Sequence, residues 1–207
     1  MARRSGSSDR WLRRQRTDAY VARRTEAGYR SRAAFKLAEI DRQVGLLRPG
    51  MRCVDLGASP GGWSQVVAQR VRPGGRVWAL DLIPMQPIDG VEFILGDFRE
   101  PEPLAALQAA LGDCRVDLVM SDMAPNISGQ WLVDQPRSIH LAELALDFAR
   151  RVLAPGGDVL IKLFQGEGFE AFRRQAGQEF ESVKFKKPGA SRSKSREMYL
   201  LARNYRI

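Results

Sequence analysis

Beyond residue 50 the chain alternates between short apolar runs and longer segments in which apolar residues return every three or four positions. Four of the runs are Cys53-Val54-Asp55-Leu56-Gly57, Val77-Trp78-Ala79-Leu80-Asp81, Val91-Glu92-Phe93-Ile94-Leu95 and Val116-Asp117-Leu118-Val119-Met120. Their length and near-continuous apolar character predict strands buried on both faces. Helical spacing falls between them, over about 62–71, 103–111 and 138–153, the last with a core stripe of Leu141, Leu144, Ala145, Phe148 and Val152. A helix over about 32–45, with Leu37, Ile40 and Val44 at helical spacing, precedes the first strand and is punctuated by Gly50. After it all come Val159 to Phe164, a helix near 168–178, a strand near 180–186 and a last strand from Glu197 to Ala202. This alternation predicts an α/β fold, a mostly parallel sheet with helices on both faces, and an antiparallel edge pair from the two late strands.

Composition narrows the class. The 207 residues fit one domain, or one domain with a tail, and 44% apolar with 28% charged residues describes a soluble globule with a core. The most apolar run, Val159 to Phe164, contains Lys162 and is too short to span a bilayer. Arg3, Arg4 and Arg10 run into more arginine where a signal peptide would turn apolar. Two cysteines and one histidine exclude a disulfide scaffold or a Cys-based zinc module and argue against a His-rich metal site. A cytoplasmic monomer without metal is expected.

Charge is segregated along the chain. Residues 1–32 hold ten arginines against three acids, and residues 184–207 hold eight basic residues against Glu197 alone, while 33–183 carry an acidic excess. Basic ends of this kind suit a polyanionic partner, because each phosphate neutralised releases counterions. A solvated arm without a partner has the same composition. The expected division is a basic arm over 1–30 and a catalytic domain over 31–207.

The strongest local signal is Val54 to Trp63, in which a strand runs into Gly57-Ala58-Ser59-Pro60-Gly61-Gly62 and then a helix. Such a turn lets a ligand approach the backbone at the carboxyl end of a sheet. The dinucleotide pattern G-x-G-x-x-G is absent, which disfavours a nicotinamide-dependent oxidoreductase. Asp81 ends the second strand, where a carboxylate suits ribose hydroxyls, and Asp97 follows the third, where it could accept from an exocyclic amine. Each alone could equally cap a turn. Lys162 lies inside the most apolar strand, so it either pairs with an acid or snorkels from the strand end. Lys36, three residues before Glu39 on a helix, reads by itself as a surface pair, and Glu197 as a local salt bridge.

Five segments in order give these residues a context: Tyr29 to Leu37, Asp55 to Trp63, Ser121 to Asn126, Val159 to Phe164, and Lys187 to Tyr199. Across about Ala19 to Tyr205 the sequence resembles the FtsJ/RlmE family of S-adenosylmethionine-dependent ribosomal RNA 2′-O-ribose methyltransferases. The resemblance implies a Rossmann-like seven-stranded sheet with its last strand antiparallel. It places the family's Lys-Asp-Lys-Glu catalytic set on Lys36, Asp122, Lys162 and Glu197. It assigns cofactor contacts to Gly61, Trp63, Asp81, Asp97 and Asp122. The implied substrate is a uridine of 23S ribosomal RNA in the large ribosomal subunit. Cap methyltransferases share the tetrad, so a tRNA or an mRNA cap stays open as substrate, as does a non-catalytic RNA-binding assembly role.

The residue types suit the chemistry. A ribose hydroxyl is a poor nucleophile, and a positioned base must take its proton. A lysine does so only when desolvation or a neighbouring cation disfavours its charged form. Lys162 has an apolar strand for the first and Lys36 for the second, whereas Asp122 and Glu197 oppose the shift while holding the amines.

Overall fold

The computed structural model describes residues 27–126, 128–191 and 195–207. The basic arm expected over 1–30 lies outside the described residues apart from 27–30, as do 192–194 of the late loop.

Helix α1 (Ala33–Val44) comes first, followed by β1 (Arg52–Leu56), α2 (Gly62–Arg70), β2 (Arg76–Asp81) and β3 (Val91–Leu95). Then follow α3 (Pro101–Leu111), β4 (Val116–Ser121), α4 (Trp131–Val152), β5 (Leu153–Phe164), α5 (Phe169–Glu179), β6 (Phe180–Lys186) and β7 (Glu197–Tyr205). The seven strands form one sheet in the order β3-β2-β1-β4-β5-β7-β6. Only β7 is antiparallel to its neighbours, β5 on one side and β6 on the other. The last strand is therefore inserted between β5 and the edge strand β6.

Alternation along the strands separates two cores. Val54, Leu56, Trp78, Leu80, Val119, Val159, Ile161, Leu163, Leu200 and Ala202 face α3, α4 and α5. Cys53, Val77, Leu118, Met120, Leu160, Tyr199 and Leu201 face α1 and α2. The period of two puts Lys162 on the same face as Leu160, and Glu197 on the same face as Tyr199, the face covered by α1 and α2, where Glu197 meets Lys36 of α1 and Lys162 meets Asp122. The strand order reverses between β1 and β4, which opens a crevice at their carboxyl ends.

Three elements differ from the sequence pattern. Helix α4 starts at Trp131 rather than 138, with Pro136 inside it. Asp134 accepts from the Ser128 backbone N–H (2.9 Å) and hydroxyl (2.8 Å) and from the Gly129 N–H (3.1 Å), which pins the first turn. Pro136 and the Leu132 carbonyl it leaves unpaired belong to exposed residues, where water can serve the carbonyl. The α4 core face also differs: Ile139, Ala142, Leu146 and Ala149 are buried, whereas Leu141 and Leu144 are half-buried. Strand β5 enters the sheet at Leu153, opposite Val116, and its Pro-Gly-Gly segment is taken up by a register shift before Asp158 meets Leu118. Strand β7 continues past Ala202 because Tyr205 still pairs with Phe180. Among the described residues no helix is long and apolar enough to cross a membrane.

Candidate active site

The crevice is lined first by the turn after β1. Gly57 has φ +78°, and a Cβ there would fall 2.8 Å from Met123 Cγ and 2.9 Å from the Met123 backbone nitrogen. Only glycine allows the turn to lie directly against the segment after β4. Asp81 Oδ2 accepts from the Ser59 N–H at 2.9 Å, and its Oδ1 accepts from the Ile83 N–H at 2.8 Å. The carboxylate thus fixes the turn to the end of β2, with lone pairs left on both oxygens. Asp97 is gripped by Arg99, whose Nη2 lies 2.6 Å from Oδ2. The hydrogen bond from Arg99 holds that carboxyl below the usual carboxylate range. Trp63, by contrast, is turned into the protein: it is buried, its indole N–H donates to the Ala33 carbonyl at 2.9 Å, and its ring lies 5.6 Å from that of Tyr199.

Beneath the turn sits Asp55, fully buried on β1. Its Oδ2 accepts from the Ser64 hydroxyl at 2.6 Å, while its Oδ1 has no hydrogen-bond partner among the described residues. Burial pushes this carboxyl up to about 7, against the Ser64 hydrogen bond and with help from the negative charges of Asp122 and Asp81.

The second half of the site is a network centred on Tyr199. Lys162 Nζ lies 3.0 Å from Asp122 Oδ1 and also donates to the Asp122 backbone carbonyl. Lys36 Nζ donates to Glu197 Oε1 at 2.5 Å and to the Tyr199 hydroxyl at 3.1 Å. That hydroxyl stands 2.9 Å from Asp122 Oδ1 and 3.1 Å from Glu197 Oε1, and its one proton goes to one of them at a time. Ser191 donates to Glu197 Oε1 at 3.0 Å. Lys36, Asp122, Lys162 and Glu197, which lie as far as 161 residues apart in sequence, therefore converge.

Lys162 is 8% exposed and ion-paired, so it does not snorkel. The surface pair suggested for Lys36 and Glu39 does not form: Lys36 faces inward to Glu197, and Glu39 accepts from the Gly189 N–H at 2.9 Å. Burial favours the neutral form of Asp122, but the charges of Lys162 and Lys36 and the Lys162 and Tyr199 hydrogen bonds outweigh it and lower its pKa. Burial, then the charges of Asp122 and Glu197, raise the Tyr199 hydroxyl well above the ordinary tyrosine value. An ionised aspartate and a neutral phenol result.

Such a site sets the turn after β1 and the Asp81 carboxylate beside paired lysines and carboxylates, which suits proton removal from a hydroxyl next to a bound small molecule. The model of FtsJ-like methyltransferases matches residues 29–205. The chain belongs to the FtsJ-like methyltransferase family. It is 57% identical to ribosomal RNA large subunit methyltransferase E of Alkalilimnicola ehrlichii over 98% of this chain and 97% of that one. The protein of the same name from Azoarcus sp. is 56% identical over 96% and 97%, and that from Pseudomonas aeruginosa 54% over 98% and 98%. A crystal structure assigned as a ribosomal RNA methyltransferase from Plasmodium falciparum aligns with a TM-score of 0.77 at 30% identity, covering 86% of this chain and 98% of that one. A crystal structure assigned as an rRNA methylase from Clostridium thermocellum shares the fold, with a TM-score of 0.53 at 18% identity, covering 82% of this chain and 97% of that one.

As a member of the FtsJ-like family the chain is a methyltransferase and needs a methyl donor. The residues present fit one. Gly57 lies in the left-handed region with no room for a side chain, Asp81 has free lone pairs at the end of β2, and Asp55 keeps an unpaired buried oxygen. Tyr199 is the residue that the sequence reading left without a role. Its signal was the strand period: it shares a face with Glu197 and pairs in register with Lys162.

Proposed function

We propose that this protein transfers a methyl group from S-adenosylmethionine to the 2′-oxygen of a uridine ribose in 23S ribosomal RNA, acting on the large ribosomal subunit in the cytoplasm. The observation that carries this reading is the Lys162–Asp122 pair joined through Tyr199 to Lys36–Glu197, at the mouth of the crevice built by Gly57 and Asp81. The names of the bacterial relatives supply the substrate class.

When bound, S-adenosylmethionine supplies a methyl group on a sulfonium, open to displacement by an oxygen. Asp81 would accept from its ribose hydroxyls, Asp97 from its adenine amine, and Gly61 would let the backbone approach. Asp122 borders both halves of the site.

Lys162 is the general base. A neutral amine has two N–H donors and one lone pair, and Lys162 already has two acceptors, the carboxylate and the backbone carbonyl of Asp122. In the ion pair the third tetrahedral position carries a proton; released to solvent before the ribose docks, it leaves a lone pair there, and that lone pair takes the proton of the ribose hydroxyl. Asp122, held ionised, fixes the direction of the amine and stabilises the ammonium that forms. Lys36 and Glu197, tied to Asp122 by the Tyr199 hydroxyl, hold the other side of the ribose, and the rest of catalysis is alignment. The basic termini, including the arm over 1–30, grip RNA phosphates.

Labelled methyl transfer to unmethylated large subunits, free 23S RNA and tRNA, followed by nucleotide mapping, tests this. The expected product is a 2′-O-methyluridine in large-subunit RNA. Label found on a base, or on tRNA alone, would overturn the reading.

A further inference from the structure

Residue 131 stands at the start of α4, where the segment after β4 turns into the helix. It is a tryptophan, half-buried, with its ring tilted against Phe164 at 5.9 Å between centroids. The guanidinium carbon of Arg196 lies over this indole, 4.4 Å from its centroid. Arg196 is exposed, and among the described residues its side chain makes no ion pair and no hydrogen bond. Its neighbour Glu197 is turned to Lys36. Beside the pair, Leu132 is 88% exposed.

The position of this pair relative to the tetrad follows from the sheet. Lys162 pairs with Tyr199, and Phe164 with Glu197, so the ring under Trp131 lies one step of two residues beyond the proposed base. That step is about 6.8 Å toward the carboxyl edge. An exposed arginine whose guanidinium carbon lies 4.4 Å over an indole, with no acidic partner among the described residues, leaves its outer side and its N–H groups open to a ligand beside the proposed ribose site. Unpaired bases stack on guanidinium planes and aromatic rings, and phosphates accept from arginine.

We infer that Arg196, backed by Trp131, is a stacking platform for an unpaired RNA base adjoining the methylated nucleotide. The inference rests on the reading that the substrate is an RNA ribose. The base lies on the outer face of the guanidinium, and the N–H edge meets the adjoining phosphate. The platform selects a target ribose whose neighbour is unstacked, in a loop or a strand end, over one inside a helix.

The test is methyl transfer to unmethylated large subunits by wild type, Trp131→Ala, Trp131→Phe, Arg196→Lys and Arg196→Ala, with KM for the subunits, methyl-donor affinity by calorimetry and melting temperature. Trp131→Ala should raise KM about 5- to 150-fold, the range for losing one stacked base, with donor affinity unchanged. Trp131→Phe should recover most of the loss. Arg196→Lys, which keeps the charge without the plane, should resemble Arg196→Ala. If Trp131→Ala does not fold, the exposed Arg196 pair of variants carries the test. Methylation by the wild type with KM within twofold for Trp131→Ala, or a wild-type Arg196→Lys, overturns the platform alone. A wild type that methylates no RNA overturns the functional reading and the platform with it.

Discussion

Tyr199→Phe removes one hydroxyl from the centre of the network and leaves the ring against Trp63. The hydroxyl accepts from Lys36 and donates to Asp122 or Glu197, so two charge-assisted hydrogen bonds are lost at any moment. Hydrogen bonds to charged groups contribute about 1.5–3 kcal/mol each, net of desolvation, and only part of this is lost because Lys36, Asp122 and Glu197 keep their other partners. The Lys36–Glu197 and Lys162–Asp122 ion pairs survive. A net loss of about 1–3 kcal/mol follows, or roughly 2–12 °C in Tm for a domain of this size. The two ion pairs, no longer bridged, shift relative to each other, and a misplacement of about 1 Å costs up to about 10²-fold in rate. Single-turnover methyl transfer should therefore fall about 10- to 100-fold while donor affinity stays within about twofold.

The pH dependence of this variant has a definite sign. Asp122 titrates below its unfolded value of about 3.9, so its stabilising contribution is present above that value and lost as pH falls through the folded pKa. Tyr199 supplies part of that depression. The stability deficit of Tyr199→Phe should be greatest near neutral pH and shrink below about pH 4. Urea melts from pH 3 to 7 read this directly. A wild-type rate and Tm, or a deficit that grows on acidification, would refute the bridge.

Asp81→Ala should weaken S-adenosylmethionine binding by about 1.5–3 kcal/mol in calorimetry, and an unchanged affinity would put the ribose elsewhere. Asp55, held up to about 7, keeps a proton that the unfolded chain releases above about 3.9, so wild-type stability should decline with rising pH between those values. Asp55→Asn removes that decline, and its gain over wild type should be larger at pH 8 than at pH 5; equal gains in urea titrations would count against a buried acid. Deleting Met1 to Arg16 should raise KM for RNA and flatten its salt dependence with donor affinity intact, and an unaltered salt slope would make the arm a solvated tail.

The sheet was legible because its central strands are buried on both faces. Cys53 to Leu56 and Val77 to Asp81 have compositions that water-exposed segments do not tolerate, whereas Val91 to Leu95, expected to be buried on both faces, is an edge strand with no fully buried residue; the structure bounds all three within a residue. Pro136 hid the start of α4, because the polar Ser128–Asp134 bonds that support that turn leave no periodic trace. The resemblance named Lys36, Asp122, Lys162 and Glu197, but their partners lay beyond local pattern. Lys36 has an acid three residues away and pairs with one 161 residues away. The resemblance assigned Trp63 a cofactor contact, and its side-chain partners were equally non-local: its indole N–H donates to the Ala33 carbonyl of α1 and its ring lies against Tyr199. Tyr199 required the register of β5 against β7, which no single segment contains.

The most direct measurement of the central claim is the single-turnover rate of Lys162→Arg with saturating subunits, beside Lys162→Ala. Arginine can keep a cation against Asp122 but does not give up its proton to become a base. If Lys162 takes the ribose proton, both variants should lose about 10²–10⁴ in rate while still binding the methyl donor. A Lys162→Arg enzyme that keeps most of the wild-type rate would contradict the account and leave Lys162 a positioning charge.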